Sequence, residues 1–252
     1  MKKLSVITID FWNTLLSNLG SEQRQLKREL ALKETLIREN ILFDESNFSS
    51  AFDAVLEQFK HVWFSEHRTL LTHEISALLL QQFQSTPSKD SLEYLTHSFS
   101  TGVVEDPPEL LPQVEKSLEI LSKDFSLGVV SDTYFSPGKQ LREVLKHYNI
   151  LHYFSSFSFS DETGVSKPHQ KAFKVVLDTF NSNTKESLHI GDIRKTDILG
   201  ANMLQMDSIL YTGNPTPFTT SLDDITIKPT YECSSWDDIV STIYQQYSSK
   251  KQ

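Results

Sequence analysis

The stretch Leu4-Ser5-Val6-Ile7-Thr8-Ile9-Asp10-Phe11-Trp12-Asn13-Thr14-Leu15 decides the fold. Residues 4–9 are rich in β-branched side chains, and so short an apolar run reads as a strand buried on both faces. Asp10 cuts the run, so an acid stands at the strand's end. The next stretch has a different texture. From Ser21 to Val104 the pattern is helical, with no convincing strand. Ser21 opens a run carrying Leu26, Leu30, Leu32, Leu36 and Ile37 near helical spacing, with Glu22, Arg24, Lys27, Arg28, Lys33 and Glu34 as its charged outer face. A second helix is predicted over Phe48–Phe64, where Phe52, Phe59 and Trp63 form an aromatic stripe read as helix-packing core. A third starts near Thr72, and a fourth covers Lys89–Phe99. For the third, Ile75 holds the place where a capping box needs an acid, although Glu74 still favours the first turn.

Asp106-Pro107-Pro108 breaks the helical block, because each proline disfavours helix at the residue before it. After it, predicted helices (about 112–122, 137–148, 169–180, 196–203 and 236–247) alternate with strands (126–131, 157–160, 187–190 and 208–211). Strands alternating with helices imply a parallel sheet covered on both faces. The first strand precedes the helical block, so that block is most simply an insertion. The expected fold is α/β: a Rossmann-like parallel sheet core made of residues 1–17 and 108–252, with an all-helical cap, residues 18–107, inserted into it.

In such a sheet, ligands bind beyond the carboxyl ends of the strands. Those ends deliver Asp10 to Thr14, then Ser131-Asp132-Thr133, then Lys167-Pro168, then Gly191-Asp192 with Asp197 five residues on. Four segments in this order resemble the motifs of the haloacid dehalogenase-like hydrolase superfamily. They are Asp10-x-Trp12-x-Thr14, Val129-Val130-Ser131-Asp132-Thr133, Phe159 to Pro168, and His189-Ile190-Gly191-Asp192 followed by Thr196-Asp197-Ile198-Leu199-Gly200-Ala201. The helical insertion between the first two motifs resembles a first-type cap. The resemblance implies a nucleophilic Asp10 that attacks phosphorus and becomes an aspartyl-phosphate. It also implies a Mg²⁺ ion held by Asp10, Asp192 and the Trp12 backbone carbonyl, with Asp197 holding a metal-bound water or orienting a neighbour. Lys167 would be catalytic, and with Ser131, Asp132 and Thr14 it would bind the substrate's oxyanion. Asp132 reads equally well as a turn residue.

Trp12 departs from the pattern. Phosphatases of this family place there a second acid that protonates the leaving group and then activates water. An indole can do neither. Three readings result: a Mg²⁺-dependent phosphohydrolase that is slow or selective for good leaving groups; a metal- or phosphometabolite-binding regulatory protein; and, least favoured, a 2-haloacid dehalogenase, against which Asp192 and Asp197 both argue.

Composition narrows the partners. The 252 residues are 38% hydrophobic and 23% charged, which is enough apolar material for a sizeable core. Lys and Arg number 24 against 33 Asp and Glu, a formal charge of −9 that repels nucleic acid and anionic membranes. The pair Lys250-Lys251 is too short to form a basic patch. One cysteine, Cys233, excludes an internal disulfide and a Cys-rich zinc site. The apolar run after Lys2-Lys3 is too short for a signal peptide's core, and no span reaches membrane length. The expectation is a cytoplasmic protein acting on a small phosphorylated or otherwise anionic metabolite, with no signal for oligomeric state. His61, His67 and His73, at spacing six, do not share a helical face; His189 reads as a core or pairing residue; Asp223-Asp224 and Asp237-Asp238 read as solvated or helix-start acids.

Overall fold

A computed structural model describes residues 2–18, 21–84 and 86–249, so Lys250-Lys251 lies outside it. The strands are β1 (Lys2–Leu4), β2 (Val6–Ile9), β3 (Ser126–Ser131), β4 (Phe154–Phe159), β5 (Ser187–Gly191), β6 (Asp207–Tyr211), β7 (Tyr231–Cys233) and β8 (Tyr247–Ser249). The helices are α1 (Ser21–Arg38), α2 (Phe48–Glu66), α3 (Thr72–Gln81), α4 (Lys89–Glu105), α5 (Val114–Asp124), α6 (Gly138–His147), α7 (Ser160–Thr163), α8 (Gln170–Thr179), α9 (Leu199–Met203), α10 (Pro217–Ser221) and α11 (Trp236–Gln246). The expected first strand is two, because Lys2–Leu4 leaves the main sheet to pair in parallel with β8.

The chain forms two compact units. One comprises Met1–Asn18, Glu109–Asp132 and Leu145–Gln252; the other comprises Leu19–Pro108 and Thr133–Val144. The second unit therefore includes residues 133–144, which the sequence reading put in the core segment. The aromatic pair Tyr134-Phe135 explains this, since both rings pack among the aromatic side chains of α2 and α4.

In the core unit six strands form an all-parallel sheet in the order β4-β3-β2-β5-β6-β7. β2 is central, flanked by β3 and β5, and the strand order turns in opposite directions on its two sides. That is the switch point where an open sheet leaves a crevice. Val6 and Val130 join Ala172, Phe173, Val176 and Leu177 of α8 and Ala201 of α9 in one buried cluster. The approach is close: a Cβ on Gly128 would stand 2.3 Å from Val176 Cγ1, so any larger residue there would push α8 off β3. On α11, Trp236 is fully buried and its indole N–H donates to the Thr14 carbonyl at 2.9 Å.

The helical unit corrects two details. The third helix starts at Thr72 as expected, but its N-cap is Leu71 and not Thr72, so Glu74 holds the third helical position, where its carboxylate accepts the Leu71 backbone N–H at 2.7 Å. The phase of α1 is also rotated from the one its leucines suggested. Leu26, Leu30 and Ile37 are exposed, while Arg24, Ala31, Leu32, Thr35 and Leu36 are buried. Positions 24, 28, 31, 32 and 35 make one helical stripe, and arginine stems cover apolar surface well enough to belong to it. Among the described residues no helix is long and apolar enough to cross a membrane.

Trp236→Phe should cost about 1–3 kcal/mol for the buried carbonyl left without its donor, and more for the volume lost when a phenyl ring replaces the indole. Urea unfolding of the full chain measures the loss.

Candidate active site

Asp10 follows the last residue of β2, and its backbone N–H extends the ladder to the Ile190 carbonyl at 2.9 Å. The carboxylate is therefore fixed at the carboxyl end of the central strand. The chain then turns sharply. The Leu15 and Leu16 N–H groups both donate to the Phe11 carbonyl, and Asn13 adopts a left-handed backbone (φ 55°). Asn13 Oδ1 accepts from the Asn18 backbone N–H at 3.3 Å and from the Asn214 side chain at 3.2 Å. Asparagine tolerates this conformation, and its side chain ties the turn to two other segments. Trp12 is half-buried, its ring centre 5.1 Å from that of Phe11 in an edge-to-face contact.

Lys167 is almost fully buried and lies between two carboxylates. Its ammonium donates to Asp10 Oδ1 and, at 2.7 Å, to Asp197 Oδ1. Its backbone N–H donates to Asp132 Oδ1 at 2.9 Å. Asp132, read as a substrate ligand or a turn residue, thus braces the segment that carries the lysine. Ser131 is buried at the end of β3, its hydroxyl 3.4 Å from the Asp132 carbonyl. The Thr14 hydroxyl is buried and makes no hydrogen bond among the described residues.

Asp197 is fully buried and accepts four hydrogen bonds. Oδ1 takes Lys167 and His189 Nε2 (2.9 Å); Oδ2 takes the Ile193 backbone N–H and the Thr196 hydroxyl, each at 3.1 Å. A carboxylate has about four acceptor positions, so none is left over for a metal. Through Oδ1, Asp197 orients a neighbour, the Lys167 ammonium. A π-helical turn, Arg194–Ile198, delivers the side chain. Gly191 admits it: a Cβ there would stand 2.3 Å from Asp197 Cγ. Arg194 turns elsewhere, to Glu232 at 2.7 Å and the Ile227 carbonyl at 3.0 Å.

His189 is the residue that sequence reasoning underrated. It lies on β5, fully buried, with Nδ1 at 2.9 Å from the Thr8 hydroxyl and Nε2 on Asp197. Strand periodicity offered a signal. Residues 189 and 191 share one face of β5, and Asp197 packs against Gly191. Burial holds the imidazole below its usual pKa, so it serves as a neutral donor to Asp197.

The charges do not balance. Burial raises the Asp10 pKa to about 7, opposed by Lys167 and reinforced by Asp197. Burial, with Asp10 and Asp197 nearby, raises the Asp192 pKa well above its ordinary value, and its Oδ2 is buried with no hydrogen-bond partner among the described residues. Asp197 remains low despite burial because Lys167 and His189 face it. Lys167 is held above its normal value, since Asp10, Asp197 and Asp132 outweigh its burial. One ammonium thus faces several acids. Among the described residues no three His, Cys, Asp or Glu groups form a metal cage. Two carboxylates, Asp10 and Asp192 with its orphaned Oδ2, together with the Trp12 carbonyl, nevertheless suit Mg²⁺, which takes hard oxygen ligands from one or two carboxylates and keeps several waters.

Comparison with known proteins places the chain in a family. The family model "Haloacid dehalogenase-like hydrolase" matches residues 40–211, more than half of the chain. The chain belongs to the haloacid dehalogenase-like hydrolases. The match starts beyond Asp10 and Trp12, so their placement rests on the strand end just described. A glyceraldehyde 3-phosphate phosphatase of Pyrococcus abyssi is 37% identical over 76 residues, covering 30% of this chain and 32% of that protein. The same enzyme of Pyrococcus furiosus is 34% identical over 76 residues, 30% and 31% of the two chains. The chain therefore spans about a third of the length of these curated relatives. Among solved structures, the HAD-hydrolase YfnB from Bacillus subtilis bound to magnesium superposes with a TM-score of 0.65 at 18% identity, covering 96% of this chain and 99% of that one. A predicted phosphoglycolate phosphatase from Haemophilus somnus gives 0.64 at 20% identity over 96% and 99%. A 2-haloacid dehalogenase from Pseudomonas syringae gives 0.62 at 20% over the same shares. At these identities the likeness establishes the fold alone.

His189→Leu removes a donor to a buried anion. A hydrogen bond to a charged group is worth about 1.5–3 kcal/mol, so kcat on an activated phosphate ester should fall about tenfold or more. His189→Gln, which can still donate, should fall less; equal losses in both would contradict the positioning role.

Proposed function

We propose that the protein is a Mg²⁺-dependent phosphohydrolase for a small phosphorylated or otherwise anionic metabolite, acting through an aspartyl-phosphate on Asp10. The observation that carries this reading is the Lys167 ammonium shared between Asp10 and Asp197, beside an Asp192 oxygen with no partner. Lys167 favours the ionised, nucleophilic form of Asp10, and its third N–H is available for an oxygen of the phosphoryl group. Asp10 Oδ attacks phosphorus, and the bond from phosphorus to the ester oxygen breaks. Water then opens the acyl phosphate, releasing phosphate and restoring the carboxylate. Asp10, Asp192 and the Trp12 carbonyl would hold the cation, which supplies the positive charge needed between two anions. The Ser131 and Thr14 hydroxyls would donate to the phosphoryl oxygens, Ser131 in place of its 3.4 Å contact with the Asp132 carbonyl. The phosphatase relatives support a phosphate ester as substrate. The net charge of −9 supports a small anion over a nucleic acid or membrane as partner.

Trp12 limits the reaction. Its side chain offers no proton to the leaving oxygen and cannot activate water, and such acid–base assistance is worth about 10²–10⁴-fold. Good leaving groups, which depart as stable anions, escape the first penalty. Aryl and acyl phosphates should therefore turn over with Mg²⁺, and sugar phosphates much more slowly. Phosphate release, measured with each ester with and without Mg²⁺, should vanish in Asp10→Asn. Trp12→Asp should raise turnover of alkyl phosphates by about 10²-fold. If no ester is turned over and no phosphorylated Asp10 is trapped by mass spectrometry, the metal- or phosphometabolite-binding reading takes its place. Chloride release from a 2-haloacid would identify the dehalogenase instead.

A further inference from the structure

α1 turns two arginines inward. Arg24 is buried, and one of its terminal nitrogens donates to the Asp106 carbonyl at 3.1 Å. Arg28, one turn on, is half-buried, its guanidinium carbon 4.0 Å from the centre of the Phe135 ring. That ring is buried and belongs to an aromatic floor, 5.4 Å from Phe99 and 6.3 Å from Phe52. Tyr134 packs 4.2 Å from Phe135 on one side and 4.2 Å from Phe59 on the other. Burial and the neighbouring Arg24 lower the Arg28 pKa to about 10, leaving it charged at neutral pH; burial raises that of Tyr134, so its O–H remains a donor.

Among the described residues neither donor has a protein acceptor. Among the described residues the Arg28 guanidinium makes no hydrogen bond or ion pair, and the Tyr134 hydroxyl makes no hydrogen bond. Neither is sealed from solvent, since the fully enclosed, unpartnered polar atoms do not include them. The same helix holds a complete version of the arrangement. Arg38 lies 3.9 Å over the Tyr94 ring, and there the Tyr94 hydroxyl donates to the Glu34 carboxylate. At Arg28 the cation, the aromatic face and the phenol are present, and the acid is missing.

We propose that Arg28 and Tyr134 form an oxyanion site in the helical unit, taking the carboxylate or phosphate of a small organic acid whose apolar body lies against the aromatic floor. The guanidinium's forked N–H groups match a planar or tetrahedral oxyanion. Two like charges on adjacent turns, one without a counter-charge, are relieved by the ligand's negative charge. The site does not depend on the phosphatase reading. Its anion is either part of the substrate or a separate effector.

The test is calorimetric titration of the full-length chain with benzoate and with phenylphosphonate, which needs no turnover. At least one acid should bind. Arg28→Gln should weaken that binding about tenfold or more, and Tyr134→Phe several-fold. Arg28→Gln keeps the stem; if circular dichroism shows that it does not fold, the conservative Tyr134→Phe decides the question alone. Inhibition of p-nitrophenyl phosphate turnover that is competitive and sensitive to Arg28→Gln assigns the anion to the substrate, whereas non-competitive inhibition or activation with the same sensitivity assigns it to an effector. Absence of binding by both acids at 10 mM (about 2.7 kcal/mol of affinity or less), or affinity indifferent to Arg28 and Tyr134, would overturn the site.

Discussion

A lysine ammonium held between two buried carboxylates organises this molecule. Taking Lys167, Asp10 and Asp197 out of water separately would cost several kcal/mol for each ion. Together the cost is offset, because the ammonium meets both acids and Asp197 spends its remaining acceptor capacity on His189, Ile193 and Thr196. Each partner comes from a different strand end, so the charges converge only once the parallel sheet is assembled. The fold creates the site, and the site's ion pairs lock the segments beyond the strands.

The support reaches several residues outward. Thr8 holds His189, His189 holds Asp197, and Asp197 holds Lys167. Asp132 fixes the lysine from its backbone side, and Trp236 secures the turn after Asp10 from the far end of the chain. Preorganisation of this kind means that little must move when charge develops on a substrate. Asp192, by contrast, is left with an unsatisfied oxygen. The unsatisfied acid and the saturated one differ by five positions in sequence and have opposite electrostatic character.

The sheet core was legible because its signals are local: β-branched runs, proline breaks and alternation with amphipathic helices. The order of the strand-end residues was legible because topology carries them to one edge. Other features depended on packing. Leu26, Leu30 and Ile37 suggested one phase for α1, yet the buried stripe runs through Arg24 and Ala31, and on the same side the Arg28 guanidinium lies over Phe135, a ring supplied by residues 133–144. Hydrophobicity alone cannot rank an arginine that stacks on a phenylalanine. His189 was visible as a strand residue; its value came from Asp197, brought alongside by a π-turn that no propensity announces. The short strands β1, β7 and β8 have three residues each, too few for a period to emerge.

The grouping of residues 133–144 with the helices has a topological consequence. The polypeptide passes from one unit to the other four times, twice around the long helical block and twice around this short segment. The helical block is thus not a simple insert that could be excised with a linker. Removing residues 19–108 would strip Tyr134 and Phe135 of their aromatic partners and leave a greasy loop directly after Asp132, whose carboxylate holds the lysine. Evolutionary exchange of caps on such a core would have to carry this second strip along or rewrite it, so the two stretches are expected to change together.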